Sequence, residues 1–484
     1  MEVFGNYIGG EWIPAVSGET FLSVNPGRHS DKVGEFVRSE KEDVSHALSA
    51  ATDAAKAWRL STPSERARIL YRAADWLFER EEAIGRELTR EEGKILAEAR
   101  NEVRRTAEHF RFYAALSYLS RGETYPSDDA GVLLYSKRYP LGTVAVITPW
   151  NFPFSIPGRK IAPALAAGNT VVFKPASETP LMGVRLVEAL EAGGAPAGVI
   201  NLVTGPAGAV GEPLIASRAL AGVTFTGSTE VGFHIQRSVA PTCRTQLELG
   251  GKNALVVWQD ADLDLAVKLA VVGGYNLSGQ ACTGTSRLIV HQTVAEEFGK
   301  RLLARVSALR IGDGMESGVD MGPLANHRQV EQVARYVDLG VSEGARLVYG
   351  GQALKDGAYG DGYFITPAIF ADVTPTHTIF REEIFGPVLA ISEVQEFEQA
   401  VGLVNDSSYG LVASICTNDL AVARQFAETV ETGMVKINRT TTGVAMNAPF
   451  GGWKDSSTAT FREEGLQALD FFTKEKTVFM GSWT

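Results

Sequence analysis

The sequence predicts an α/β protein with a doubly wound parallel sheet, followed by a second α/β unit. Three observations lead there. Between 142 and 248, short apolar runs at 143–147, 170–173, 199–203 and 222–225 alternate with Ala/Leu-rich helical stretches, the rhythm of parallel strands joined by crossover helices. The alternation resumes after Gly251, with runs at 254–257, 287–290, 346–349, 368–370, 388–394 and 411–415. Finally, 484 residues at 45% hydrophobic and 21% charged content are too many for one small core, so two or three domains are expected.

The remaining elements follow in chain order. From Lys41 to about Tyr118 apolar residues recur at three- and four-residue spacing, as in Ile69, Leu70, Ala73 and Leu77, and predict a helical lead-in. The stretch 132–139 reads as a strand leaving the body of the first domain. The run 471–479 is apolar and β-prone, and both segments are expected to be assembly elements.

A net charge of −11 argues against a nucleic-acid surface and makes a small molecule the default partner. Cys243, Cys282 and Cys416 are too few for a disulfide framework, and no Cys or His pair has metal-ligand spacing, so a reducing compartment and no metal are expected. The first residues lack a basic segment followed by an apolar one, and no uncharged apolar run approaches the roughly 20 residues of a membrane helix. A soluble cytoplasmic protein without a membrane partner is expected.

Cys282 lies in Gly279-Gln280-Ala281-Cys282-Thr283-Gly284-Thr285-Ser286-Arg287, among small and hydroxyl residues rather than the bulky neighbours of a packing cysteine. It reads as a nucleophile, with a small buried residue as the alternative. Glu248, between Leu247 and Leu249 and before Gly250-Gly251, is placed for desolvation and a raised pKa, which suits a general base. Asn151, in Pro149-Trp150-Asn151-Phe152-Pro153 after the 143–147 strand, is an oxyanion donor or a cap of the next turn. Lys174, in Lys174-Pro175-Ala176-Ser177-Glu178, holds a ribose or phosphate, or is a solvated loop lysine. Thr226-Gly227-Ser228-Thr229-Glu230-Val231-Gly232 is a strand-to-helix turn whose free N–H groups suit a pyrophosphate. A Cys–His hydrolase would need a partner such as His291, which carries no supporting local signature.

With these segments collected, the chain resembles the NAD(P)-dependent aldehyde dehydrogenase superfamily essentially end to end. Glu382-Glu383-Ile384-Phe385-Gly386-Pro387 and Pro449-Phe450-Gly451-Gly452 complete the match. The resemblance implies a Rossmann-type cofactor domain (1–121 and 140–250), an α/β catalytic domain (251–450) and a small β bridging element (122–139 and 460–484) that joins a homodimer or homotetramer. It implies that Cys282 attacks the aldehyde, that the Asn151 amide and the Cys282 N–H hold the oxyanion, and that Glu248 activates the water that hydrolyses the thioester. Cofactor contacts are implied for Trp150, Lys174, Ser177, Gly227, Ser228, Gly232, Leu249, Glu383 and Phe385, with Glu383 and Lys174 holding the two riboses.

NAD-preferring members often carry a glutamate where this chain has Ser177, so the resemblance implies NADP as the preferred cofactor with NAD accepted. Arg159 matches an arginine that semialdehyde dehydrogenases use to hold a distal carboxylate, or else lies on a solvated helix face. Asn438-Arg439-Thr440-Thr441-Thr442-Gly443-Val444 is most similar to the group oxidising α-ketoglutaric semialdehyde (2,5-dioxopentanoate), with succinate semialdehyde enzymes near it. The stretch 456–462 departs from the shorter glycine-bearing segment of much of the family. The alternatives are oxidation of a neutral aldehyde such as D-glyceraldehyde, a cofactor-independent thioesterase or esterase, and a catalytically silent protein on this fold.

Overall fold

The computed structural model describes residues 2–119, 121–458 and 460–481. Ala459, inside the 456–462 stretch, and residues 482–484 of the C-terminal run lie outside them.

Two seven-stranded sheets carry the architecture. The first runs in the order Arg244–Glu248, Gly222–Thr226, Thr143–Ile147, Thr170–Lys174, Ile200–Leu202, Asn6–Ile8, Glu11–Ile13. Its first five strands are parallel and its last two are antiparallel additions. From Thr143–Ile147 the chain steps outward twice in one direction, then returns to build on the other side. The reversal opens a crevice between the carboxyl ends of Thr143–Ile147 and Gly222–Thr226, the place where a doubly wound sheet takes a ligand. Helices cover both faces, which is why Thr170–Lys174 and Gly222–Thr226 are buried at every residue and read as unbroken strands rather than alternating ones.

The helical lead-in is four helices, Lys41–Trp58, Pro63–Glu79, Glu81–Glu92 and Leu96–Leu116. Local chemistry sets the breaks: Thr62 and Glu65 form a capping box with Pro63 in the first turn, and Gly93, at φ 100°, ends the third helix. Ahead of them, Arg28–Val37 pairs with Thr20–Asn25 and Val3–Phe4. The sequence reading passed over these strands, because the first six residues of Arg28–Val37 alternate between exposed and half-buried and the strand is buried mainly at its end, at Gly34, Phe36 and Val37.

The second sheet has the order Arg346–Tyr349, Ala368–Ala371, Val388–Val394, Thr285–His291, Asn253–Val257, Val412–Cys416, Met434–Ile437. All its pairs are parallel except the first. Each expected strand is present with ends shifted by a residue or two. Arg244–Glu248 and Met434–Ile437, which were not read as strands, are edge strands of the two sheets.

The two segments expected to reach outward pair first with each other. Thr473–Met480 runs antiparallel to Leu133–Pro140, from Thr473 opposite Pro140 to Met480 opposite Leu133, with Thr124–Tyr125 alongside. Phe471 and Phe472 instead close the short helix Ala468–Phe472 and are buried in the first core, while Phe479 is 72% exposed. Among the described residues, no helix is long and apolar enough to cross a membrane.

Candidate active site

The carboxyl ends of the first sheet face the amino ends of the second, and Cys282 stands at that meeting. It precedes the strand Thr285–His291, after a turn in which Leu277, Ser278 and Gly279 all adopt left-handed backbone (φ 53°, 52° and 72°). Such conformations cost energy for residues with a Cβ, so they persist only where surroundings over-determine them. Here the Leu277 N–H donates to Glu98 (3.1 Å), the Ser278 hydroxyl to the Gly322 carbonyl (2.8 Å) and the Asn151 amide to the Gln280 carbonyl (2.9 Å). Asn253 donates to the carbonyls of both Cys282 and Gly284. At Gly279 a Cβ would lie 2.3 Å from the Gly386 carbonyl oxygen, so only glycine fits.

Two cavities open on either side of Cys282. One, of about 370 Å³, is lined by Trp150, Asn151, Gly227, Ser228, Leu249, Glu383 and Phe385; the other, of about 310 Å³, by Arg105, His109, Arg159, Phe450 and Glu464. The thiol is the wall they share. Burial pushes it up to about 12, against the opposing pull of Arg159, so at rest it is protonated and needs a base.

Glu248, the last residue of its strand, is 2% exposed, and neither carboxylate oxygen has a hydrogen-bond partner among the described residues. Burial first, then repulsion from Glu463, holds it well above the usual carboxylate range, against Lys160 and Arg159. A buried, unpartnered carboxyl is costly unless it serves a ligand or water. Asn151 does not cap a helix, since Ser155–Ala166 starts beyond it with Phe154 at the cap position. One amide hydrogen goes to Gln280, and its side-chain oxygen is buried without a partner. The Asn151 carbonyl is gripped by the buried Lys94 ammonium at 2.7 Å, itself paired with Glu102.

The larger cleft fits a dinucleotide by its own chemistry. Glu383 accepts the Gly251 N–H at 2.9 Å, and burial raises its carboxyl to about 7. A Cβ on Gly250 would come 2.3 Å from the Glu383 carboxylate, so a side chain there would push that carboxylate out of place. Ser228 caps the helix Thr229–Ser238 by accepting the Val231 N–H, and Ser228, Glu230 and Val231 at the start of that helix line the cleft. Trp150 and Phe385 meet edge-to-face, centroids 5.5 Å apart.

Three expected contacts stand differently. Gly232 is buried against Leu249, where a Cβ would come within 2.3 Å, so it lets the helix close rather than lining the cleft. Lys174 and Ser177 lie short of its wall: Lys174 donates to the Pro175 carbonyl, with its amine lowered to about 8 by burial, and Ser177 donates to the Gly205 carbonyl. The neighbouring Glu178, which the sequence reading did not weigh, does line the cleft.

Arg159 is 7% exposed, which excludes the solvated-face alternative. Its Nε lies 3.0 Å from Glu463, its Nη1 3.8 Å from Glu464, and its guanidinium carbon 4.8 Å from the Phe450 ring centre. Lys160 contacts Glu463 and the Thr224 hydroxyl. Glu464, at φ 59°, turns its carboxylate onto His109 at 2.9 Å. Sequence reading missed Lys94, Arg105, His109, Lys160, Glu463 and Glu464, and the one available signal was the consecutive Glu463-Glu464-Gly465 beyond the unusual 456–462 stretch. Among the described residues, no group of three His, Cys, Asp or Glu side chains converges as a metal site.

Comparison with known proteins agrees with this geometry. The aldehyde dehydrogenase family model matches residues 12–478. The chain is 44% identical to an alpha-ketoglutaric semialdehyde dehydrogenase of Bacillus subtilis (strain 168), over 98% of this chain and 97% of that protein. A crystal structure of betaine aldehyde dehydrogenase from Staphylococcus aureus in complex with NAD+ superposes with a TM-score of 0.96 at 32% identity, covering 99% of this chain and 95% of that one. An NADP-dependent enzyme from E. coli superposes with a TM-score of 0.95 at 36% identity, covering 99% and 98%. The chain belongs to the aldehyde dehydrogenase family and is an NAD(P)-dependent aldehyde dehydrogenase.

Proposed function

We propose that this enzyme oxidises a small aldehyde bearing a distal carboxylate, 2,5-dioxopentanoate foremost and succinate semialdehyde alongside it, to the corresponding acid. The observation that carries the reading is the arginine-bearing cavity directly behind Cys282, supported by the likeness to the Bacillus subtilis enzyme. Cys282 attacks the aldehyde carbon to give a thiohemiacetal, and Glu248 in its ionised form takes the thiol proton. The second Asn151 amide hydrogen and the Cys282 N–H meet the oxyanion. When bound, the nicotinamide cofactor supplies the acceptor for the hydride. Glu248, whose carboxylate oxygens have no hydrogen-bond partner among the described residues, then activates the water that cleaves the thioester. Glu383 holds the nicotinamide ribose, Trp150, Phe385, Leu249, Gly227 and Ser228 shape the cleft, and Lys174 swings from the Pro175 carbonyl to the adenosine ribose.

NADP is the preferred cofactor and NAD is also accepted, because Ser177 removes a carboxylate that would repel a 2′-phosphate. Glu178 on the cleft wall keeps the preference graded. The sheet holding Leu133–Pro140 and Thr473–Met480 joins subunits of a homodimer or homotetramer through its exposed Leu133 and Phe479, and the enzyme is cytoplasmic. The carboxylates of Glu98 and Glu464 in the same cavity favour a second reading, a neutral aldehyde such as D-glyceraldehyde. Initial rates of NADPH and NADH formation on 2,5-dioxopentanoate, succinate semialdehyde, D-glyceraldehyde and a plain alkanal test both points. Strong preference for the two acids is expected; preference for the uncharged aldehydes would replace the first reading by the second.

A further inference from the structure

The segment that carries Asn151 has little scaffold of its own. It runs between the strand Thr143–Ile147 and the helix Ser155–Ala166. Pro149 and Pro153 have no N–H to give, and among the described residues the N–H groups of Trp150, Asn151 and Phe152 have no acceptor. Two residues from elsewhere in the chain hold it instead. The Lys94 ammonium donates to the Asn151 carbonyl at 2.7 Å and lies 4.7 Å from the centre of the Phe152 ring. Glu102 accepts the N–H groups of Phe154 and Ser155 at 2.9 and 3.0 Å. Lys94 and Glu102 are themselves a buried ion pair.

What fixes Lys94 also fixes the thiol. Its backbone is pressed against the second α/β unit: a Cβ on Gly314 would come 2.4 Å from the Lys94 carbonyl oxygen, and one on Gly322 would come 2.2 Å from the Gly93 carbonyl oxygen. The Leu96 N–H donates to the Gly314 carbonyl at 3.0 Å. The Gly322 carbonyl in turn accepts the Ser278 hydroxyl, and Glu98, one helical turn before Glu102, accepts the Leu277 N–H at 3.1 Å. The start of the helix Leu96–Leu116 therefore touches both segments that supply an oxyanion donor. It reaches Asn151 through Lys94 and Glu102, and the turn before Cys282 through Glu98. A neutral side chain could fill the space of Lys94, but only an ammonium donates to a carbonyl and a carboxylate at once.

We infer that Lys94 is a positioning residue, which with Glu102 sets the distance between the Asn151 amide and the Cys282 N–H. The inference rests on the oxyanion role of Asn151 proposed above. Oxyanion donors act through preorganisation, and a displacement of about 1 Å costs on the order of 100-fold in rate. Without Lys94 the amide keeps its bond to Gln280 but its backbone is untied.

The test is a double-mutant cycle between Lys94→Met and Asn151→Ala, read as kcat and aldehyde KM at saturating NADP, with the rate of Cys282 alkylation by iodoacetamide as a second readout. Lys94→Met is expected to lower kcat about 30-fold and to change KM less than threefold, with alkylation unchanged. In the Asn151→Ala background the same substitution should lower kcat less than about threefold, because the amide it positions is gone. Lys94→Arg keeps a cation beside Glu102, so it preserves the test if Lys94→Met does not fold. It should show the same dependence on Asn151 with a smaller loss. A kcat loss of equal size in both backgrounds, or a changed alkylation rate, makes Lys94 general support for the fold and overturns the inference. An undiminished kcat in the Lys94 variants overturns it and leaves the oxyanion role of Asn151 standing. An undiminished kcat in Asn151→Ala overturns that role and this inference with it.

Discussion

The two cavities that share Cys282 are built from different materials. On the cofactor side the functional groups are backbone N–H donors at a strand–turn–helix junction, glycines that permit close approach, and Glu383 seated on the Gly251 N–H. On the aldehyde side they are ionisable side chains, Arg105, Arg159 and His109, set against the carboxylates of Glu108, Glu463 and Glu464. A dinucleotide presents the same phosphates and riboses to every enzyme that uses it, so a frame built largely from local backbone suffices. A substrate varies in length and charge, and discriminating it takes buried electrostatics that only long-range contacts supply.

The sharpest way to break this division is at the shared wall. Cys282→Ala should lower aldehyde oxidation on the order of 10⁵-fold, while NADP affinity, followed by fluorescence titration, stays within about twofold. Parallel loss of cofactor binding would mean that the two sides are one site energetically.

Next in size is Glu248→Gln, expected to reduce kcat on the order of 10²- to 10³-fold. Because burial raises the Glu248 pKa, the carboxyl is an inert acid at low pH and becomes a base as pH rises. The wild-type kcat should climb with pH, and the Gln variant should be flat. The same raised pKa favours the folded state below the unfolded carboxyl pKa, and that stability is lost as pH rises through the folded value. Denaturant titration should therefore find Glu248→Gln losing less stability than wild type toward alkaline pH. A wild-type kcat that falls with pH would contradict the base role, and a wild-type stability that rises relative to the variant toward alkaline pH would contradict the linkage.

Asn151→Ala separates the oxyanion role from anchoring of the loop. A loss on the order of 100-fold in kcat with little change in aldehyde KM is the signature of a contact made mainly in the transition state. A rise in KM alone would point to its hydrogen bond with Gln280 as the only use of the amide.

The smallest effect is on the cofactor side. Glu383→Gln should raise the KM for NADP on the order of tenfold and leave the aldehyde KM unchanged. With the Glu383 carboxyl raised to about 7, its ionised form, the better acceptor for ribose hydroxyls, gains population as pH rises through that value. Wild-type NADP KM should therefore fall over this range, and the variant should lack the trend.

How much of the site was legible follows the same division. Cys282, Asn151 and Glu248 each sit beside a strand end or glycine turn that marks them locally, while Glu383 was named only through the family resemblance. Lys160 and Glu463 are 303 residues apart, and His109 and Glu464 are 355 apart. Arg105 and His109 resemble any polar residues on an amphipathic helix until the Val444 loop and Glu464 close over them. The cofactor side is informative too. Gly232 was read as a cofactor contact because glycine marks both backbone approach to a ligand and helix packing, and its position against Leu249 shows the packing use. Glu178 was passed over because which of two adjacent loop residues faces a cleft depends on the path of the loop.

The sequence by itself determined the elements, since parallel strands buried on both faces must be apolar throughout and helices must repeat at 3.6 residues. It also determined the thiol, base and amide, because each rides on a backbone turn that its own neighbours encode. The tertiary structure decided the charge balance around them: which arginine is neutralised, which carboxyl is left without a partner, and which thiol stays protonated. Those depend on desolvation and on pairs brought together from distant parts of the chain, and neither is a property of any short stretch of residues.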